Sequence, residues 1–370
     1  MNSDTAGNKT RLDNLDLLKA VAIICMIICH AVIRLGEHHA GYENDFAFWF
    51  GDVVLGSYIA VAHAFMFSMG VTLHFGSHYS SKSLIKRGFY LLLVAYVLNF
   101  FRYTIYCLID GFIQGEFMED TLYSFLCQDI LHFAGLALIL TGIFRKLKMK
   151  EWHILIAGIV MSLIGGFLAL KYDRGAVSNY LLGFFIVTDT TWSCFSLFNW
   201  YFFVAFGLWF GKILKNVSDL KTFYRRIFAV SSVIAAVYTA LSFRIGYYPF
   251  TPEKWYYATT LPEDIGYLSI DLVMLSAFFL MGLSSRSNKV VKVLCDMSSR
   301  LLRVYCAQWC LIGFIESVFC FLLEIVFSYP VIYVIGILLI PLSYLTAIAA
   351  DKIMMRAAGR KGTKMIKRAE

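Results

Sequence analysis

The chain has 370 residues, of which 59% are hydrophobic, 17% aromatic and only 16% charged. This composition excludes an ordinary soluble domain and indicates an integral membrane protein with little chain outside the lipid. The net charge of +8 is typical of basic segments beside anionic headgroups, so we expect membrane lipids and no nucleic acid as partners.

Ten apolar runs are long enough to cross a bilayer and predict an all-α membrane protein, a single bundle of ten transmembrane helices. Lysine and arginine concentrate on one side of these runs, which predicts that both termini are cytoplasmic. We expect a cytoplasmic segment at 1–13, a membrane domain at 14–352, a basic cytoplasmic tail at 353–370 and a location in the inner cell membrane. The runs lie at 15–36, 54–73, 84–101, 127–144, 152–170, 192–214, 227–243, 266–283, 301–327 and 331–350.

The first run carries a polar stripe of Asp16, Lys19 and His30. At about 100° per residue, Lys19 and His30 share one helix face, and Asp16 lies within about 40° of His30. Because ionisable groups are costly in lipid, this face must point toward protein or water, which makes it a candidate site. The alternative is that Asp16 and Lys19 reach the cytoplasmic interface and His30 forms an ordinary interhelical hydrogen bond.

Further polar residues are expected at membrane depth, in the outer half of the bilayer. Singly, each is more often a satisfied interhelical hydrogen bond than a catalyst. Together they predict an outward-facing chamber of histidines and carboxylates, the residue types that perform acid and base catalysis. The outer loops at 36–52, 110–123 and 247–266 are acidic and aromatic, and we expect them to cover it. Besides His30, these polar residues are His63, Asp129, His132, Asn199, Asp271 and Glu316.

Basic residues at the cytoplasmic end of the third run, Lys86 and Arg87, could join Lys19 in binding the phosphates of a nucleotide-like ligand. The usual cytoplasmic excess of positive charge explains most of them by itself. Gly207 and Gly211 have the GxxxG spacing that predicts close helix packing. The nine cysteines lack metal-ligand spacing, so we expect most of them to pack in the core and expect no metal.

The segment LDLLKAVAIICMIICH at 15–30 resembles the opening of the transmembrane acyltransferases. These are the acyltransferase-3 family and its relatives, the catalytic domain of heparan-alpha-glucosaminide N-acetyltransferase and its bacterial homologues. Leu15, Asp16, Lys19 and His30 occupy the places of Leu, Asp, Arg and His in the acyltransferase-3 pattern. Lys19 keeps the charge of that arginine but loses its bidentate fork, and Gln308 stands near a frequent histidine of that family.

Later segments are similar to the second branch of the superfamily and cover most of the chain in order. AFMFSMG at 64–70 resembles its FxFxxG motif, and DILHFAGLALIL at 129–140 a segment with Ile-Leu and Gly. LFNWYFFVAFGLWFGKIL at 197–214 resembles a tryptophan followed by a helix of small residues, and LLRVYCAQWCLIG at 301–313 resembles the penultimate helix.

The resemblance implies an enzyme that takes an acyl group, expected to be acetyl, from cytosolic acyl-CoA and delivers it to a sugar hydroxyl or amine of an extracytoplasmic glycan or glycolipid. His30 would be the base or the covalent acyl carrier, with Asp271 or Glu316 orienting it and His63 or His132 donating to the thioester oxygen. Lys19, Lys86 and Arg87 would hold CoA. Acceptor-binding residues would be Asp129, Asn199, Trp200 and Gln308, and homo-oligomerisation is left open.

Two other classes of protein compete with the enzyme. A secondary transporter of a sugar- or lipid-linked substrate also uses buried Asp, Glu and His, as proton relays, but inverted repeats and broken midplane helices are not evident in the sequence. A structural or sensory membrane protein would leave the outer histidines and carboxylates without a role. The sequence therefore favours the acyltransferase.

Overall fold

The computed structural model describes residues 12–59, 62–75, 79–114, 120–172, 175–188, 194–283 and 288–366. These residues form helices and connecting turns, without a strand. Three π-helical segments prolong neighbouring helices: πA (Phe50–Tyr58), πB (Phe100–Thr104) and πC (Glu316–Leu322). The helices are α1 (Asp13–Gly36), α2 (Phe46–Trp49), α3 (Ala62–Phe75), α4 (Ser81–Asn99), α5 (Ile105–Gln114), α6 (Asp120–Leu126), α7 (Ile130–Lys146), α8 (Glu151–Leu168), α9 (Ala176–Gly183), α10 (Leu197–Asn216), α11 (Leu220–Ile245), α12 (Leu261–Leu280), α13 (Lys289–Ser299), α14 (Leu301–Ile315) and α15 (Tyr329–Ile366).

The all-helical class predicted from the sequence is confirmed. Eight helical stretches of the described chain are long and apolar enough to cross a membrane: 13–36, 46–75, 81–109, 151–168, 197–216, 220–245, 301–322 and 329–356. The other two predicted crossings coincide with α7, which has 17 residues, and with α12, which carries three acidic residues. The count of ten and the cytoplasmic termini stay predictions, and residues 192 and 193 of the sixth run lie outside the described ranges.

The predicted outer loop at 110–123 is partly helical in the structure. Helix α5 continues to Gln114, and α6 begins at Asp120. The apolar residues of this segment suit a surface helix, because one helix face can pack against the bundle while the other stays exposed. Helix α15 likewise runs from the last apolar run into the predicted tail without a break, as far as Ile366.

Helix α1 occupies the centre of the bundle. It packs against πA, α3, α12, α13, α14 and α15, and Ile23 and Ile27 have no exposed surface. Segment πA approaches the C-terminal half of α1 through two glycines: a Cβ atom at Gly56 would lie 2.5 Å from Cys29 Sγ, and one at Gly51 would lie 2.6 Å from a methyl group of Val32. The face of α1 that carries Cys29 and Val32 therefore packs against protein rather than lipid.

Glycines also set the contact between α3 and α10. A Cβ atom at Gly207 would lie 2.2 Å from the Phe67 carbonyl oxygen, and one at Gly70 would lie 2.3 Å from the Val204 carbonyl oxygen. Gly211 is similarly close to the backbone of Val71. The close packing predicted from Gly207 and Gly211 is thus confirmed.

Candidate active site

His30 lies on the face of α1 that meets α14. Its ring nitrogen Nδ1 is 2.9 Å from Gln308 Nε2, and its ring centroid is 4.3 Å from that of Trp309. Tyr305 meets the imidazole edge-on, with 6.4 Å between centroids. Residues 305, 308 and 309 share one face of α14 because they are three to four positions apart. Gln308 is fully buried, whereas His30 keeps part of its surface exposed.

The Gln308 side chain is compatible with a proton on either ring nitrogen of His30. As placed, the Gln308 amide group donates to Nδ1, so a neutral His30 carries its proton on Nε2. With the amide turned over, its oxygen accepts from Nδ1–H and leaves Nε2 with a free lone pair. Gln308 can therefore hold either neutral tautomer of His30, and it adds no charge to the site.

A buried ion pair stands beside this contact. Arg102 of πB donates to Asp129 Oδ2 over 2.6 Å, and its guanidinium carbon lies 4.7 Å from the centre of the Trp309 ring. Asp129 also accepts from the Tyr305 hydroxyl and, at 2.6 Å, from the backbone N–H of Ile130. The carboxylate thus caps α7 while it fixes a tyrosine of the His30 wall.

A second ion pair lies one turn beyond His30 on α1. Arg34 contacts both carboxylate oxygens of Glu316, at 3.0 and 2.8 Å, and His38 Nε2 lies 3.5 Å from the same group. The Tyr103 ring lies between the two cationic side chains, 5.0 Å from the guanidinium of Arg34 and 4.6 Å from that of Arg102. The two pairs therefore form one continuous polar wall along πB and πC.

The π-helical segments supply much of this wall. Arg102 and Tyr103 belong to πB, and Glu316 is the first residue of πC. An extra residue per turn rotates the side chains that follow, which is why such segments are frequent at functional sites. Here the rotation brings cationic and acidic side chains to the same side of the bundle as His30.

His63 and Asp271 form a separate cluster rather than partners of His30. Their Nδ1 and Oδ2 atoms are 3.0 Å apart, and His63 Nε2 lies 3.0 Å from the Ser57 carbonyl oxygen. The imidazole thus bridges a carboxylate and a backbone carbonyl. The ring is fully buried and stacks on Tyr267 at 4.7 Å. Asp271 therefore orients His63, and the expected orienting contact to His30 comes from Gln308 instead.

The remaining predicted residues have local structural contacts. His132 Nδ1 accepts from the backbone N–H of Asp129, and its Nε2 has no partner among the described residues. Asn199 donates to the Thr259 carbonyl over 2.8 Å, and Trp200 donates to the Tyr257 carbonyl over 3.0 Å. Both are fully buried, so they anchor α10 to the loop before α12. The contacts divide the predicted chamber into separate clusters.

The predicted donor-binding residues differ in exposure, since the Lys19 side chain is only 13% exposed. Lys19 forms an ion pair with Asp16 over 2.6 Å, one turn away on α1. Lys86 and Arg87 project from the exposed face of α4. Within the described ranges, no group of three His, Cys, Asp or Glu side chains could hold a metal ion.

Sequence reasoning missed Arg102, Tyr305 and Trp309, which form most of the wall around His30. Arg102 had a visible signal, since it is an isolated charge within the apolar segment LNFFRYTIY. The two aromatic residues had none beyond their spacing from Gln308, because aromatic side chains are frequent throughout this chain.

The sequence profile of one known family, "Heparan-alpha-glucosaminide N-acetyltransferase, catalytic", matches residues 11–242 of the chain. The match covers more than half of the protein and includes His30, Arg102 and Asp129, whereas Gln308 and Glu316 lie beyond it. No curated protein and no solved structure matches the chain significantly.

Proposed function

The chain belongs to the heparan-alpha-glucosaminide N-acetyltransferase catalytic family, and from this membership we propose that it acetylates a sugar amine or hydroxyl of an extracytoplasmic glycan or glycolipid. The family implies acetyltransferase activity, and the eight apolar helical stretches of the described residues indicate a multi-pass membrane protein. Cytosolic acetyl-CoA as donor and the envelope glycan as acceptor are parts of the proposal. The observation that carries it is His30, a partly exposed imidazole held in a buried polar wall by Gln308.

Two chemical routes use His30 at its Nε2 atom. In the first, Nε2 takes a proton from the acceptor, the acceptor attacks the thioester carbonyl, the C–S bond breaks, and the proton passes to the CoA thiolate. In the second, Nε2 attacks the thioester carbonyl, the C–S bond breaks and CoA leaves as the thiolate. The acceptor then attacks the acetyl carbon, the bond from that carbon to Nε2 breaks, and the acceptor proton passes to the CoA thiolate. Both routes need the tautomer in which the Gln308 oxygen accepts from Nδ1–H.

The charges around His30 support a neutral imidazole as the reacting form. Gln308 is uncharged, and the nearby carboxylate of Asp129 is already paired with Arg102 and hydrogen-bonded by Tyr305. Asp129 is thus already neutralised and is not free to stabilise an imidazolium ion at His30. A neutral imidazole has the lone pair that either route requires.

Lys19 marks the donor end of this site. It lies eleven residues from His30, or about 16 Å along α1, which leaves room for an extended thioester arm between a phosphate at Lys19 and the reacting carbon. Lys86 and Arg87 are assigned to the same nucleotide end. Tyr305 and Trp309 are buried beside His30, so they pack against the imidazole and shape this side of the site.

The proposal is tested by CoA release. Purified protein in liposomes is given acetyl-CoA and an amino-sugar acceptor, and CoA thiol is measured for the wild type, His30→Ala and His153→Ala. His153 lies at the start of α8 and serves as the matched histidine control. We expect acceptor-dependent release that His30→Ala abolishes and His153→Ala preserves. Full activity in His30→Ala would remove this residue from the mechanism.

A further inference from the structure

A groove opens on the surface where α8 begins and α10 ends, away from the wall around His30. It has a volume of about 380 Å³, and we name it the tryptophan groove. Trp152 is 48% exposed, and the Lys212 side chain is 49% exposed. The lining residues are Trp152, Trp209, Lys212, Ile213, Asn216 and Val217.

The position of the groove matches a membrane interface. Helices α8 and α10 are both long and apolar enough to cross the membrane, and the groove lies at the end of each. Tryptophan is enriched at that depth because its ring is apolar while its N–H prefers water. Ile213 and Val217 provide an apolar wall of the same groove. A molecule with both a polar head and an apolar chain suits this lining.

Positive charge surrounds the groove. Lys212 Nζ contacts the buried Glu151 over 2.7 Å, and Arg145 contacts the same carboxylate at 3.4 Å. His74 lies 3.7 Å from Glu151 as well, so one carboxylate is shared by several basic groups. Exposed lysines add to the excess: Lys146, Lys148, Lys150 and Lys215. An anion bound here would meet a field that Glu151 only partly compensates.

We propose that the tryptophan groove binds an anionic phospholipid, with its phosphate at Lys212 and Asn216 and its acyl chains along the tryptophans and Ile213. The apolar share of the lining favours a lipid over the other phosphate source, the nucleotide end of CoA, because that end has no hydrocarbon to bury. The site holds the junction of α8 and α10 in the membrane and takes no part in acetyl transfer.

The test counts bound lipid by native mass spectrometry of the full-length protein in detergent, titrated with phosphatidylglycerol or phosphatidylcholine. We expect phosphatidylglycerol to bind at least fivefold more tightly. Lys212→Gln should lower that affinity about fivefold, the effect of one lysine near an anionic headgroup. Ile213→Trp, which fills the groove and keeps its charges, should block binding. Lys221→Gln, an exposed lysine on α11, should leave the affinity unchanged.

Equal affinity for the two lipids would overturn the proposal, as would an equal loss in Lys212→Gln and Lys221→Gln. A third arm adds CoA. If CoA displaces phosphatidylglycerol and Lys212→Gln weakens CoA binding, the groove is a nucleotide site and the lipid assignment is wrong. The melting temperature of each variant shows whether it is folded. If Lys212→Gln is not folded, Ile213→Trp tests whether the groove binds lipid, because it leaves the Glu151 contacts in place.

Discussion

The ion pair between Arg102 and Asp129 supports a quantitative prediction. The Arg102 side chain is 2% exposed and that of Asp129 is 15% exposed, so replacing Arg102 with methionine strands a carboxylate inside the bundle. Breaking a buried pair from one side costs about 3–5 kcal/mol. The Tyr305 and Ile130 donors remain, which places Arg102→Met near the lower end of that range, about 3 kcal/mol.

The second single variant of a double-mutant cycle is Asp129→Asn. Asparagine keeps the side-chain oxygen that accepts from the Ile130 N–H, so the cap of α7 survives while the charge is lost. In Arg102→Met with Asp129→Asn, neither charge is left unpaired. We therefore expect the double variant to be at least about 2 kcal/mol more stable than the sum of the two single losses.

The assay is thermal unfolding of the purified protein in detergent, followed by fluorescence, for the four members of the cycle. For a chain of 370 residues, with an unfolding entropy of about 2.1 cal/mol/K per residue, about 3 kcal/mol corresponds to a fall of roughly 4 °C in melting temperature. Strictly additive losses would refute the view that the pair is a buried, mutually dependent unit. So would a melting temperature of Arg102→Met that equals that of the wild type.

Three further changes probe the reacting group, the packing and the donor end. Gln308→Ala should lower kcat about 10- to 100-fold because His30 loses the partner that orients it, and mispositioning a reacting group costs that much; an unchanged kcat in CoA-release assays would contradict the assigned contact. Gly207→Leu should prevent α3 and α10 from packing, because its Cβ would lie 2.2 Å from the Phe67 carbonyl oxygen; a wild-type melting temperature would show that the close approach is unimportant. Lys19→Gln should raise the KM for acetyl-CoA about tenfold, the effect of one charged hydrogen bond, with kcat unchanged; a fall in kcat alone would move Lys19 away from donor binding.

The helices were the most predictable part of the molecule. A run of about 20 apolar residues is enough to indicate a membrane-spanning helix, so α1 and α15 were evident from the sequence alone. The GxxxG spacing at Gly207 also identified a real close contact, because only small residues permit it. The helices α5 and α6 were missed, since neither is long enough to be read from hydropathy.

The site was predictable only in part. The polar stripe of α1 located His30, because a histidine within an apolar run must face protein or water. Its partner could not be predicted: Gln308 is 278 residues away, and hydropathy does not specify which helices touch. The depth of His63 suggested a shared chamber with His30, but equal depth does not place two residues on the same side of a bundle. Arg102 depends on the register of πB, which sequence periodicity does not reveal.

The most direct test of the proposed function follows the acetyl label itself. Membranes containing the wild type or His30→Ala are incubated with acetyl-CoA labelled in the acetyl group, and the label is measured on glycans and on the protein. We predict label on glycans that requires His30, with label on the protein as well if the imidazole carries the acetyl group. Absence of both, in folded protein supplied with several acyl chain lengths, would contradict acetyl transfer and favour a transporter.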